Sequence, residues 1–438
     1  MPLPHITIYA PFGSARLRYA LDWLFTERLG FTYTFTTSET QAGAAACCIS
    51  YGARMPGAVT IAAAALLQET GITAHEAAYK SWQGLHTFYF VDERDADIPF
   101  DLLSGIFFFL SRYEEYYPDK EDRHGRYRYR ESVLAREEFD EDYAEIFNRP
   151  VVDEWVEYLR RLLEQRWHIT IPKPAFRLEI SYDIDIAWAY RHKGFKRLLG
   201  GALRDAASLK LNRVAERFSA RDPYDAFGWM ARLHERTGIE ARYFILAAEA
   251  ATAFDKNISP HHPAMQALVK QLGDRGPVGL HPSYFSSEKP ALLAAEKALL
   301  EQIIDRPIHT SRQHYIRLRL PGTYRRLISQ GITDDYSMGY TTITGFRAGT
   351  SHSFAWYDIA EETATSLRIH PFSFMDTTAR IYMGLTADEA FQNIGRIRKT
   401  LEPLGGVLST IFHNFSLGTD RDWHGWREGY ERFLSSGV

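Results

Sequence analysis

From residue 176 onward, short apolar runs alternate with helical segments, and no other feature constrains the fold as tightly. Residues 176–180, 241–247, 278–280, 367–374 and 407–412 read as strands. Residues 224–236, 262–275, 289–304, 323–330 and 386–401 read as the helices between them. Gly238 and Gly331 stand where two of these helices should stop, since glycine most easily takes the left-handed turn that ends a helix. Strands separated by helices pair in parallel, so this half of the chain should form a parallel sheet or a barrel.

The first 170 residues are less regular. Strands are expected at 4–11, 46–51 and 85–91, with helices at 15–29, 62–69, 101–116 and 151–167. The last of these places Val152, Trp155, Val156, Leu159 and Leu163 on one face. Pro172 and Pro174 punctuate the passage into the alternating region. We read residues 1–170 as a smaller α/β domain of unknown role and 174–438 as a barrel, which suits a chain of 438 residues. Residues 193–221 are basic and helical and read as an insertion lying over the barrel rim.

Several function classes recede on composition. Fifty-one basic against 55 acidic residues give a net charge of −4, which offers nothing for a nucleic acid. Cys47 and Cys48 are adjacent and make no disulfide framework. The opening Met-Pro-Leu-Pro-His lacks the basic-then-apolar pattern of a secretory signal, and the apolar run at 105–110 is too short to span a bilayer. A cytoplasmic protein with no integral membrane segment is the expectation. The oligomeric state is not legible.

Chemistry concentrates just past the strands. Asp183 and Asp185, two residues apart at a strand end, point to the same side of the backbone. Carboxylates that close repel unless a cation or a shared proton lies between them. His281 follows 278–280, Arg312 lies in Thr310-Ser-Arg-Gln-His-Tyr315, and His413 follows 407–412. In an α/β barrel the ends of the strands share one rim, so these residues should meet. Together they suffice for metal-assisted hydrolysis: ligands for a cation, a base for water, an acid for the leaving group, and a guanidinium to hold the base. Asp255 and Asn257 fall on the same rim and could contact substrate. Arg347, in the turn-rich Gly345-Phe-Arg-Ala-Gly349, could reach a polar or anionic group. Asp376 is a weaker case of the same kind.

This ordered series resembles the polysaccharide deacetylase family of metal-dependent carbohydrate esterases, over roughly residues 174–438. Ser181-Tyr-Asp-Ile-Asp185 stands where that family has Thr-Phe-Asp-Asp-Gly. His281-Pro-Ser-Tyr-Phe285 stands for its His-x-x-x-His motif, Arg312-Gln-His-Tyr315 for Arg-x-Pro-Tyr, Asp334-Asp-Tyr-Ser337 for a later Asp-bearing strand, and Ser409-Thr-Ile-Phe-His413 for Leu-x-x-His. The wording His-Pro-Ser-Tyr, Arg-Gln-His-Tyr and Gly-Phe-Arg-Ala-Gly-Thr looks like a bacterial deacetylase-like subgroup with an uncharacterised N-terminal domain.

The resemblance implies a distorted (β/α) barrel, a carbohydrate substrate, and removal of acetyl groups from N- or O-acetylated sugars. It implies a divalent metal, zinc first, with cobalt, nickel or manganese also suited. Asp183 would be the base, Asp185 and His281 metal ligands, and Arg312 the residue that orients Asp183. His413 would be the acid, and a backbone N–H near Tyr315 an oxyanion donor. Two departures stand out: Phe285 occupies the second histidine's place, and Ile184 separates the aspartates. Asp183 is therefore a further candidate ligand, and His309 and His314 are candidate replacement ligands. Two other readings stay open: a catalytically weakened glycan-binding or polysaccharide-assembly protein, and hydrolysis of another C–N bond.

Overall fold

The computed structural model describes residues 3–435 apart from 76, 78, 92–94, 135–142 and 220. It builds two main sheets. The first comprises β1 (Ile6–Tyr9), β2 (Tyr33–Thr36), β3 (Cys48–Tyr51) and β4 (Val59–Ile61), all parallel, in the order β2-β1-β3-β4. A hairpin of β5 (Lys80–Trp82) and β6 (Leu85–Thr87) follows.

The helix expected at 15–29 begins under a Ser14 cap as an α-helix, Ala15–Leu21, and widens into π geometry over Asp22–Arg28. Helix Leu102–Ser111 is apolar all round because every residue in it is buried. It lies against Ala15–Leu21, helix Val151–Trp167 and the edge strand of the second sheet.

That second sheet holds β7 (Arg177–Ile184), β8 (Ala241–Leu246), β9 (Val278–His281), β10 (Thr310–Ser311), β11 (Asp334–Asp335), β12 (Phe354–Asp358), β13 (Thr363–Ile369), β14 (Phe374–Met375) and β15 (Val407–His413). Its order is β12-β13-β11-β10-β9-β8-β7-β15-β14, with β12 alone antiparallel. Without β12, the remaining eight strands follow the stave order of a (β/α)8 barrel, opened between β13 and β14. The sheet curls on itself. Phe244 of β8 and Tyr336 beyond β11 have ring centroids 5.4 Å apart, and Ile316, Phe372, Met375 and Ile411 pack into one cluster. The fold is α/β, with a distorted (β/α) barrel in the C-terminal part.

The helix expected at 62–69 is only a 3-10 turn, Leu66–Gln68, and two expectations for the barrel strands also need correction. The single strand expected at 367–374 is two, β13 and β14, on opposite lips of the opening. Pro371 between them has no N–H to give a ladder, and the chain crosses the gap there. The strand expected to end at 180 continues to Ile184. It is flanked by β8 and β15, which pair with it through Asp183, so polar residues are held in extended backbone at the sheet's centre.

The N-terminal part closes over the β12 edge. Tyr19 Oη donates to Ala355 O at 2.7 Å, Trp23 Nε1 donates to Ser353 O at 3.3 Å, and Arg16 pairs with Glu362 at 2.6 Å. Covering an open strand edge in this way removes a site of unwanted pairing. No helix among the described residues is long and apolar enough to cross a membrane.

Candidate active site

Parallel strands put all their C-terminal ends on one rim, and the register aligns the functional groups there. His413 sits opposite Asp183, and His281 opposite Leu246. Ile184 is fully buried on the outer side, so Asp183 and Asp185 both face inward. They line a cavity of about 330 Å³ with His281, His314 and His413.

Asp185 is the hub. Its Oδ1 lies 3.0 Å from His281 Nε2, and its Oδ2 lies 3.4 Å from both His314 Nε2 and His413 Nε2. The His281 approach lacks hydrogen-bond geometry, so Oδ1 is buried with no hydrogen-bond partner. A buried orphan carboxylate oxygen needs an explanation, and a cation is a chemically apt one. Asp185, His281 and His314 each offer a ligand atom, all within 4.8 Å of one another.

The other ring nitrogens fix the imidazoles. His281 Nδ1 lies 2.6 Å from Arg312 O, His314 Nδ1 3.0 Å from Asp255 Oδ1, and His413 Nδ1 2.7 Å from Asp376 Oδ1. Each Nδ1 donates outward, leaving each Nε2 turned toward Asp185. Outward donors of this sort set ring orientation and tautomer at metal sites.

Arg312, fully buried, is spent on positioning. Nη1 donates to Asp183 Oδ1 at 2.7 Å, Nη2 to Ser181 Oγ at 2.9 Å, and Nε to Tyr336 O at 3.0 Å. Its guanidinium also lies 4.2 Å from the Phe244 ring centroid. One carboxylate oxygen of Asp183 is thereby fixed. The other lies 3.9 Å from His281 Nε2, at the edge of the cluster.

Burial disfavours charge on Asp185, His314 and His413, yet their pairing overrides it. Burial would raise Asp185, but His314 and His281 hold it well below the usual carboxylate range. Burial would lower His314, but Asp185 and Asp255 push it up to about 9. His413 is likewise desolvated, and Asp376 with Asp185 raises it well above the ordinary imidazole value. Without a bound cation the cluster thus carries protons that a cation would displace.

The structure disperses the remaining candidates. Asp255 backs His314 and accepts from Tyr284 N–H, so it touches a ring rather than the cavity. Asn257 ties down the loop after β7, donating to Ile184 O and accepting from Ala187 N–H. His309 precedes β10 and is exposed at the opposite end of the barrel. Phe285 is partly exposed and packs edge-on to Tyr284 and Phe254. Asp334 pairs with His370, while Asp335 is buried under Ser311 and Ser337. Tyr315 lines the cavity on a left-handed turn, φ 60°. Such strain in a non-glycine residue costs on the order of 1 kcal/mol and gathers at functional sites.

Arg347 does not reach the cavity. It is buried against Glu115, with Nε–Oε1 at 2.8 Å and Nη2–Oε2 at 2.7 Å, and Arg112 shares the same carboxylate. The loop's Gly345, at φ 131°, admits no side chain, because a Cβ would lie 2.1 Å from Phe147 O. Loop and N-terminal part are therefore clamped together. The expected outcome of Arg347→Ala is a loss of about 3 kcal/mol in stability, since it strands a buried carboxylate beside a single remaining arginine. Thermal denaturation reads this. Unchanged stability with weakened substrate binding would return Arg347 to a substrate role.

Two contributors escaped the sequence reading. Gln313 lines the cavity with its Nε2 buried and unpartnered. Arg126, from the N-terminal part, forms a cavity wall with Tyr382, Nη1 to Oη at 3.0 Å. Asp376, the weaker candidate of the sequence, is the partner of His413 in both side chain and backbone N–H. The segment bearing Arg126 also packs on the barrel, through His124 Nδ1 and Tyr284 Oη at 2.9 Å.

Fold and site thus describe an α/β barrel with a carboxylate–histidine cluster on its C-terminal rim. Residues 6–168 match a Family of unknown function, DUF7033. No curated protein matches the chain. Among solved structures, similarity is found to a Mycobacterium smegmatis protein assigned as a polysaccharide deacetylase (10% identity, TM-score 0.41, 61% of this chain and 86% of that one). Puue allantoinase is similar at 12% identity and TM-score 0.41, over 60% of this chain and 87% of that one. A Pseudomonas aeruginosa PAO1 protein, also assigned as a polysaccharide deacetylase, is similar at 12% identity and TM-score 0.40, over 61% and 88%. Likenesses this distant leave function to the chemistry of the site itself.

Proposed function

We propose that the protein is a metal-dependent hydrolase that removes acetyl groups from N- or O-acetylated sugars. The observation that carries the reading is the half-buried Asp185 carboxylate, with a buried orphan oxygen, facing the Nε2 atoms of His281 and His314 beside the buttressed Asp183. One carboxylate and two imidazoles suit zinc and leave coordination positions open. Asp185, His281 and His314 would hold the ion, His314 standing in for the histidine absent at 285. Such an ion polarises a carbonyl and makes water more acidic.

The chain's own groups then divide the proton work. Asp183, aimed by Arg312, accepts the proton of the attacking water. His413, kept protonated by Asp376, returns a proton to the departing amine or alkoxide. Gln313 and the backbone at Tyr315 are the donors available to the carbonyl oxygen. Phe254, Tyr315 and Tyr382 give the cavity aromatic walls against which a sugar ring can lie.

The test is acetate release from N-acetylated chito-oligosaccharides and O-acetylated xylan by zinc-loaded protein. Activity should vanish on chelation and return with zinc. Release that persists in the chelated protein, or none from any acetylated sugar, would overturn the reading.

Zinc affinity should depend on pH with a defined sign. His314, held up to about 9, must lose its proton before Nε2 can ligate. Apparent affinity should therefore rise from pH 6 to 8, by about tenfold per unit for each proton released. Competition titrations across that range would show it, and a flat profile would remove His314 from the ligand set.

A further inference from the structure

The β7-to-β8 connection carries the least accommodated surface of the molecule. Six of the ten strongly exposed large apolar side chains among the described residues lie between 195 and 218. Helix Phe195–Ala207 and helix Leu211–Arg217 form a hairpin there. Phe195, Leu199 and Leu203, four residues apart, make one stripe on the first helix, exposed to solvent. The turn between the helices bears Leu209 and Leu211, 85% and 67% exposed, with Leu209 in left-handed backbone at φ 56°.

The inward face is settled by Ala202 and by Asp205, which pairs with Arg217 across the hairpin at 2.7 Å. Arg217 in turn lies 4.5 Å from the Tyr190 ring centroid, and Asp222 accepts from the N–H groups of Ala189, Tyr190 and Arg191. The hairpin is thus seated at its stem while its apolar stripe and tip project into water.

Its charge runs against the rest of the chain. Residues 193–221 hold eight Lys or Arg against Asp205 and Glu216, a net +6 within a chain of −4. Exposed leucines and phenylalanines in a segment of net positive charge match the requirements of an anionic bilayer surface, where apolar groups enter the acyl boundary and cations meet phosphates. A second copy fits less well. In a two-fold contact each basic hairpin would face its own like charge.

We infer that this hairpin docks the protein on anionic phospholipid membrane. The hairpin leaves the barrel through the loop that begins beside Asp185, so docking turns the catalytic rim toward the lipid surface. The inference holds whatever reaction the cavity performs.

Sedimentation of the full-length chain with vesicles tests it, using phosphatidylcholine alone and phosphatidylcholine mixed equally with phosphatidylglycerol. Binding to the anionic vesicles alone is expected, weakening as salt rises. Leu209→Asp with Leu211→Asp should lower partitioning by more than about tenfold. Arg204→Glu with Lys210→Glu should do likewise while leaving the apolar tip intact. All four positions are exposed, so the variants should keep the wild-type melting temperature, which serves as the folding control. Wild-type protein left in the supernatant, or either variant bound as tightly as wild type, would overturn the proposal. So would sedimentation velocity showing a wild-type dimer that the leucine variant loses, which would make the patch a contact between copies.

Discussion

Asp183→Asn is expected to cut acetate release by about 10³- to 10⁴-fold, near the upper end of what a positioned general base contributes. Zinc content and melting temperature should remain close to wild type. The substitution keeps the shape of the side chain, and its carbonyl oxygen can still accept from Arg312 Nη1 where Asp183 Oδ1 does now, at 2.7 Å. What it removes is the capacity to take a proton from water. Metal content separates the two roles open to Asp183. Its second oxygen lies 3.9 Å from His281 Nε2, close to the ligand cluster but outside the 4.8 Å group formed by Asp185, His281 and His314. A variant that loses zinc along with activity would make Asp183 a ligand. One that keeps its rate would leave the reaction without its proposed base.

The positions of the strands that carry the candidate site were legible in the sequence, because a buried parallel strand must be a short apolar run between helices. The rim followed from that, since parallel strands have no choice about where their C-termini gather. What the sequence concealed depends on distance in space. The sequence offered both His309 and His314 as replacement ligands, and only their places in space separate them: His314 Nε2 lies 3.4 Å from Asp185 Oδ2, while His309 is exposed at the other end of the barrel. Phe285, at the expected spacing, swings onto Tyr284 and Phe254 instead. Motif spacing cannot register a ligand exchanged between loops. Arg347 and Arg126 make the same point in opposite directions. Both are arginines beside glycines in polar loops, yet Glu115 captures the first in the core and Tyr382 holds the second at the cavity wall. Their fates were decided by partners more than 200 residues away in sequence.

Asp185→Ala is expected to lower zinc affinity by about a hundredfold to a thousandfold, so that the purified variant carries less than stoichiometric metal. Zinc sites with four protein ligands bind with about 10–16 kcal/mol, on average roughly 2.5–4 kcal/mol for each ligand. Asp185 is the one charged ligand of the proposed three, so its share should not fall below that average. His281→Ala and His314→Ala should each weaken binding less, leaving the carboxylate and one imidazole. The metal-free protein supplies an independent check. Asp185 and Asp255 together hold His314 up to about 9, and with Asp185 gone only Asp255 remains to oppose desolvation. The imidazole should therefore titrate at lower pH in the alanine variant, which ring-proton chemical shifts would follow. Metal analysis and titration read different consequences of the same carboxylate. A variant that keeps its zinc while His314 titrates lower would leave Asp185 as an electrostatic partner of the histidines and shift the metal elsewhere. One in which neither changes would remove Asp185 from the centre of the site.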